Sequence, residues 1–146
     1  MGSDNDHKPE LSDYRARRAE IGEDMSEIER ALAAPVGLGT AWHEQLTKAL
    51  SGLKELATIQ FDDLSGPTGV VAQLEVDVPP LSGRARQLLA TFEEGLSELD
   101  RLIASNEPAE QRREDVISLL GQAARIRQGL ADLLWEAYWV DVGGGG

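Results

Sequence analysis

The sequence contains no cysteine and only two histidines in 146 residues. The absence of cysteine excludes disulfide bonds, thiolate nucleophiles and cysteine-ligated zinc. His7 lies in a polar N-terminal segment, and His43 lies in the first turn of a predicted helix, whose positive end disfavours protonation. Because no G-x-S-x-G turn accompanies His43, the chain has almost no material for nucleophilic catalysis, and we predict that it is not an enzyme.

Positive charge is also scarce, since 26 Asp and Glu face 14 Lys and Arg and give a net charge of −12 at pH 7. The excess is even, because residues 1–66 and 67–146 each hold 13 acidic and 7 basic residues. Nucleic acid and anionic membrane are bound through clustered cations, so we predict neither as a partner. The N-terminus MGSDNDHKPE lacks the pattern of a signal peptide, and no apolar run approaches a membrane span. We therefore expect a cytoplasmic protein.

Four amphipathic segments separated by Gly- and Pro-rich connectors predict four helices. Ser12 and Thr40 are the predicted N-caps of the first two helices, Pro79-Pro80 opens the third, and the fourth ends at about Val140. Short connectors favour an all-α, antiparallel up-down four-helix bundle with a long C-terminal helix. The predicted inward stripes are Tyr14, Ile21, Met25, Ile28 and Leu32; Trp42, Leu46, Ala49, Leu53, Leu56, Gln60 and Leu64; Leu81, Ala85, Leu88, Phe92, Leu99 and Leu102; and Val116, Leu119, Ala123, Ile126, Leu130, Leu133, Leu134 and Ala137.

One domain is predicted over residues 12–142, between a disordered lead-in at 1–11 and a flexible glycine tail at 143–146. Residues 70–78, VVAQLEVDV, alternate as in a strand but also suit a short helix. A lone strand would leave backbone groups unpaired, so we favour a helix or an irregular connector. Five glycines inside the predicted helices are either tolerated on solvent faces or mark close approach of helices: Gly22, Gly52, Gly95, Gly121 and Gly129.

Aromatic residues make up only 5% of the chain, yet three of them crowd the last helical turns in ADLLWEAYWVDV. With Leu130 at zero on a helical wheel, the buried residues centre near about 20°, Trp135 lies at about 140° and Trp139 at about 180°. The two indoles therefore face away from the core, where the lead-in, the 70–78 connector or a second subunit covers them, or where they stay exposed. We interpret Trp135, Tyr138 and Trp139 as an interaction surface for a homodimer or a protein partner.

Carboxylates are numerous enough to raise the question of a metal site. The candidates are Glu93, Glu94, Glu98 and Asp100 on the third helix, and Asp132 and Glu136 on the fourth. Di-metal bundles need inward carboxylates, typically with Glu-x-x-His pairs, and the sequence contains no such pair. The wheel also places Asp132 and Glu136 on the solvent side. We predict solvated acidic faces, with no metal and no cofactor.

Two stretches carry recognisable framework motifs. The first, FDDLSGPTGVVAQLEVDVPPLSGRARQLLATFEEGLSELDRLI, contains a Gly-Pro-x-Gly connector and a helix that ends in Leu-Asp-Arg-Leu. The second, ARIRQGLADLLWEAYWVDVGG, contains the Ala-Asp-Leu and Glu-Ala-Tyr tail. Over about residues 40–144 the chain resembles actinobacterial hemerythrin-like (HHE-type) helical bundle proteins.

The resemblance implies a bundle that holds two irons through inward histidines and carboxylates and binds or senses oxygen. The implied histidines fall near Gln60, near Phe92 and at Ile126, and none of these residues is histidine. The middle of the bundle would then hold mainly apolar side chains and no nitrogen ligand. Gln60 would be a buried amide bonded to Arg127, or would line a small polar pocket.

Two functional hypotheses follow from these patterns. The first is a non-enzymatic interaction or regulatory scaffold, derived from a hemerythrin-like fold without its metal site. The alternative is a divergent di-iron protein that binds or senses oxygen or iron through carboxylates alone.

Overall fold

The computed structural model describes residues 10–35 and 39–142, so lead-in residues 1–9 and the glycine tail at 143–146 lie outside it. The described part of the chain is helical and contains no strand, which confirms the all-α prediction and its four long helices. A short 3-10 turn, Pro79–Leu81, leads into the third long helix. The helices are α1 Ser12–Ala33, α2 Thr40–Ser65, α3 Val70–Asp77, α4 Ser82–Ile103 and α5 Ala109–Tyr138.

The two predicted N-caps are wrong. Ser12 and Thr40 are the first residues of α1 and α2, and neither helix start has a side-chain cap. At α1 the Ser12 N–H instead donates to the Glu10 carboxylate. Hydrogen bonding by the Ser12 side chain, and then by this N–H, lowers the pKa of Glu10. At α2 the chain enters through Gly39, whose φ of 63° lies in the region that favours glycine.

Within residues 70–78, Val70–Asp77 form the short helix α3, which agrees with one of the two predicted alternatives. Val71 and Leu74 are buried, whereas Val76 is exposed, so the helical spacing rather than strand alternation decides which side chains enter the core. Gly69 precedes α3 at a tight turn, where a Cβ atom would lie 2.2 Å from the Asp63 carbonyl oxygen. Only glycine fits this position without moving the backbone.

The buried side chains form two apolar clusters. The Tyr138 cluster comprises Leu11, Tyr14, Ala57, Leu64, Val71, Leu74, Ala85, Phe92, Ile126, Leu130, Leu133, Leu134, Tyr138 and Val142. The Trp42 cluster comprises Ile21, Ile28, Ala31, Leu32, Trp42, Leu46, Leu50, Leu53, Leu99, Leu102, Val116 and Leu119. The predicted end of the lead-in at residue 11 is wrong. Leu11 is 4% exposed and packs in the Tyr138 cluster, so it belongs to the folded part.

Backbone proximity pairs α1 with α2, α2 with α4, and α4 with α5. Helix α5, at 30 residues, is the longest of the described helices, as the sequence predicts, but it ends at Tyr138 rather than at about Val140. None of the described helices is long and apolar enough to cross a membrane.

Gly129 is a point of close approach between α5 and α4. A Cβ atom at Gly129 would lie 2.7 Å from Leu88 Cδ2, whereas one at Gly121 would meet its nearest neighbour, Arg125 Nη1, at an ordinary 3.7 Å. We expect Gly121→Ala to raise the free energy of unfolding by about 0.5–1 kcal/mol through helix propensity. Gly129→Ala should lose this gain, because Leu88 must move, and should be less stable than Gly121→Ala by about 1 kcal/mol or more. Urea denaturation followed by circular dichroism measures both, and equal gains at the two positions would contradict the close packing.

Candidate functional site

Trp135 and Trp139 are the two exposed aromatic side chains at the end of α5. They are 51% and 75% exposed, and their ring centroids lie 5.6 Å apart at an interplanar angle of 60°. This agrees with the helical wheel, which directs both indoles away from the core. Neither α3 nor any other described element buries them, so the 70–78 connector is not their cover, and lead-in residues 1–9, another of the alternatives, lie outside the described residues.

Tyr138 does not share this exposure, although the sequence analysis grouped it with the two tryptophans. Its side chain is buried in the cluster named after it, and its hydroxyl donates to Asp77 Oδ2 on α3 at 2.9 Å. Burial, then the hydrogen bond to Asp77, raises the pKa of Tyr138. The wheel accounts for this position, because Tyr138 lies at about 80°, much nearer the buried face than either tryptophan. Tyr138 therefore fixes the end of α5 to the core and to α3, and it is not part of the exposed tryptophan pair.

The chain reverses at Trp139, which adopts the left-handed conformation with φ 59° and ψ 35°. Its N–H donates to the Trp135 carbonyl oxygen at 2.7 Å and ends α5. The reversal directs Val142 back into the Tyr138 cluster, and Arg15 Nη2 donates to the Asp141 carbonyl oxygen at 3.2 Å. A left-handed tryptophan is uncommon and costs about 1–3 kcal/mol, which the packing of Val142 helps to offset.

Three exposed carboxylates lie close to the two tryptophans in sequence: Asp132, Glu136 and Asp141. Asp132 accepts a hydrogen bond from Gln128 at 2.8 Å, and Glu136 forms an ion pair with Arg84. The outward positions predicted for Asp132 and Glu136 are therefore confirmed.

The second predicted polar position lies at a cavity of about 60 Å³ in the middle of the helical structure. Gln60 is 6% exposed, as predicted, and both Gln60 and Arg127 line the cavity. The predicted hydrogen bond between them is absent, and Arg127 Nη1 donates to the Arg18 carbonyl oxygen at 2.9 Å. Phe92 and Ile126, the other two positions at which the resemblance implies histidine, line the same cavity.

Arg18 and Arg127 bind each other's backbone. Arg18 Nη1 donates to the Arg127 carbonyl oxygen at 3.0 Å, and Arg127 returns the bond to Arg18. Burial, then the charge of Arg18, lowers the pKa of Arg127. The burial of Arg18 was not predicted, although Arg18 follows Tyr14 by four residues and precedes Ile21 by three, and so lies on the inward stripe of α1.

Arg112 was also missed and is the most buried cation of the described residues, at 1% exposure. Its Nη2 donates to Thr47 Oγ1 at 2.7 Å and to the Leu102 carbonyl oxygen at 3.0 Å, while Nη1 donates to the His43 carbonyl oxygen at 3.3 Å. Nη1 also lies 3.1 Å from His43 Nδ1, so this ring nitrogen accepts and the neutral ring carries its proton on Nε2. Arg112 precedes Val116 by four residues, so the inward stripe of α5 extended backward would have found it.

Arg112 of α5 therefore joins α2 and α4, and His43 is one of its partners on α2. His43 lies edge-on against the buried Trp42, with ring centroids 5.0 Å apart, and it faces the Arg112 guanidinium. Burial lowers the pKa of Arg112. Across residues 10–35 and 39–142, no three His, Asp or Glu side chains come close enough together to hold a metal ion.

Because Arg112 is hydrogen-bonded to two other helices, its loss should lower the free energy of unfolding more than the loss of an exposed arginine. We expect Arg112→Met to lower the free energy of unfolding by about 2 kcal/mol, because the oxygens on α2 and α4 lose a charged donor. Arg113→Met is the matched control, since Arg113 is the exposed neighbour on the same helix and its loss should change stability by less than about 0.5 kcal/mol. Urea denaturation measures both variants, and equal losses would contradict the assignment.

Comparisons with protein-family models, with curated proteins and with solved structures found no match for this chain. The resemblance to hemerythrin-like proteins therefore stays a prediction. The function has to be inferred from the described side chains alone.

Proposed function

We propose that this chain is a non-enzymatic interaction module that docks on another protein through the indole rings of Trp135 and Trp139. The observation that supports this most directly is the exposure of two adjacent tryptophans beside a largely buried helix end. Tryptophan is enriched at protein interfaces and among the residues that contribute most binding energy. An exposed aromatic pair is costly to leave in water, so a partner that covers it gains apolar burial.

The backbone that carries the two indoles is held by packed neighbours. Trp135 lies in the last turns of α5, and Trp139 is held at the chain reversal between the buried side chains Tyr138 and Val142. Since the backbone on both sides of Trp139 is already packed, docking would order little additional chain. Preorganisation of this kind lowers the entropic cost of association.

The charge around the indoles indicates the chemistry of the partner. Asp132, Glu136 and Asp141 are exposed within three residues of a tryptophan, Arg84 pairs with Glu136, and the whole chain carries a net charge of −12. A second copy of the chain would carry the same net negative charge. A different protein with an apolar pocket bordered by Lys or Arg is complementary to both features and would associate faster at low salt.

We also propose that the four long helices form an antiparallel, up-down bundle on a hemerythrin-like scaffold. Arg84 at the start of α4 pairs with Glu136 near the end of α5, and Arg101 near the end of α4 pairs with Asp115 near the start of α5. These contacts support an antiparallel, up-down arrangement. A hemerythrin-like scaffold without its metal site fits the side chains at the central cavity, which offer no imidazole or carboxylate.

The double substitution Trp135→Ser/Trp139→Ser tests the surface. We expect affinity capture from the native cell extract to retain a basic partner on the wild-type chain and to lose it on the double variant. With the purified partner, the affinity measured by calorimetry should fall at least tenfold, because the central aromatic contacts are removed. The matched control is Val76→Ser/Ile117→Ser, which removes two exposed apolar side chains elsewhere and should bind as the wild type does.

Three outcomes would overturn this function. A dimer in sedimentation velocity that dissociates in the double tryptophan variant would assign the surface to a second copy of the chain. Equal partner affinity for the tryptophan variant and its control would show that the indoles do not bind it. Near two irons per chain by elemental analysis would favour the carboxylate di-iron alternative.

A further inference from the structure

A pocket of about 740 Å³ opens at the start of α2, beside the connector that joins α4 to α5. Thr40, His43, Thr47 and Lys48 of α2 line it, and so does Arg112 of α5. Its volume lies in the range of about 300–1,000 Å³ that is usual for sites of small organic molecules.

Arg112 brings to this pocket a positive charge that no carboxylate balances. It is 1% exposed and forms no ion pair with any of the described residues. Its hydrogen bonds go to neutral acceptors on His43, Thr47 and Leu102, and its Nε is buried without a hydrogen-bond partner among the described residues. A buried cation without a counter-charge is stabilised by an anion placed beside it.

The hydrogen bonds of Arg112 also fix the polarity of the pocket wall. A guanidinium donates and never accepts, so the atoms that face it must be acceptors. Thr47 Oγ1 and His43 Nδ1 accept from Arg112, which leaves the Thr47 O–H and the His43 Nε2–H as donors. Ser105 Oγ, also in the wall, accepts from the Glu107 N–H at 3.1 Å, which leaves the Ser105 O–H as a third donor.

The start of α2 adds backbone donors and further positive charge. The first N–H groups of a helix have no acceptor within the helix, and α2 has neither a side-chain cap nor an acidic residue in its first turn. Lys48 is exposed and belongs to none of the ion pairs of the described residues, whereas Lys54 pairs with Asp100. Donors and cations thus meet on the α2 side of the pocket, which is the arrangement that binds phosphate groups.

Two carboxylates limit what else the pocket can hold. Glu44 is exposed on α2, and Glu107 on the connector pairs with Arg101 through Oε1. Glu107 Oε2 is buried without a hydrogen-bond partner among the described residues, so it can accept from a hydroxyl group. A second anionic group on the connector side would be repelled by Glu107.

We propose that this pocket binds a small phosphate monoester, with its phosphate beside Thr47 and Lys48 and its hydroxyl groups at Glu107 Oε2. The net charge of −12 opposes any anion, but exposed charges farther away than about 8 Å are largely screened at physiological salt. The pocket lies at the start of α5, whereas Trp135 and Trp139 lie at its end, so either site can fail without the other.

The proposal is tested by calorimetric titration of the wild-type chain with glycerol 3-phosphate, inorganic phosphate and glycerol. We expect saturable binding of glycerol 3-phosphate at one site per chain, weaker binding of inorganic phosphate, which leaves Glu107 without a hydroxyl partner, and no binding of glycerol. Lys48→Gln should weaken glycerol 3-phosphate binding by roughly fivefold or more. Lys54→Gln removes a lysine from the same helix outside the pocket and should leave the affinity unchanged.

A second pair of variants tests the sign of the charge effect. Glu44→Gln removes a negative charge from the pocket wall and should strengthen glycerol 3-phosphate binding by roughly twofold or more, whereas Glu55→Gln, outside the pocket on the same helix, should not. Lys48 and Glu44 are exposed, so these variants should stay folded by circular dichroism. No saturable binding, or equal effects of Lys48→Gln and Lys54→Gln, would overturn the proposal. Inorganic phosphate that binds as tightly as glycerol 3-phosphate would overturn the assignment to an ester.

Discussion

Three buried or half-buried arginines determine where the helices lie along one another. Arg18 and Arg127 exchange hydrogen bonds with each other's backbone and join α1 to α5. Arg112 reaches oxygens on α2 and α4 from the start of α5. A guanidinium removed from water must find acceptors at fixed positions, and a shift of any helix by one residue would leave charge unsatisfied. Apolar packing alone tolerates such shifts more readily.

The central cavity lies where the two apolar clusters meet. Its wall combines Leu53 and Leu119 of the Trp42 cluster with Phe92 and Ile126 of the Tyr138 cluster, and Gln60 and Arg127 line it as well. A Cβ atom at Gly22 would lie in ordinary contact with Arg127 Nη2, at 3.4 Å, so this glycine is not required by the arginine.

Much of the helical fold was predictable from the spacing of apolar residues, because a 3.6-residue period identifies the buried face of each long helix. The same period correctly directed Trp135 and Trp139 outward and Gln60 inward. Arg18 and Arg112 were missed because a charged residue on an apolar stripe is usually solvated, and only the neighbouring carbonyl oxygens reveal that it is buried. The reversal at Trp139 was also not predictable, since left-handed backbone is normally signalled by glycine or asparagine. Val142 belongs to the same cluster as Leu11 and Tyr14, which lie more than a hundred positions earlier, and no local pattern encodes that association.

The distribution of the three tryptophans gives the protein two separate optical reporters. Trp42 is 1% exposed, and its indole nitrogen has no hydrogen-bond partner among the described residues. Its fluorescence should therefore lie at short wavelength and respond only when the core opens. Trp135 and Trp139 lie in water, so a soluble quencher reaches them first and their emission responds to whatever covers the end of α5. Opening of the core and occupancy of the surface can thus be followed separately in the unlabelled chain.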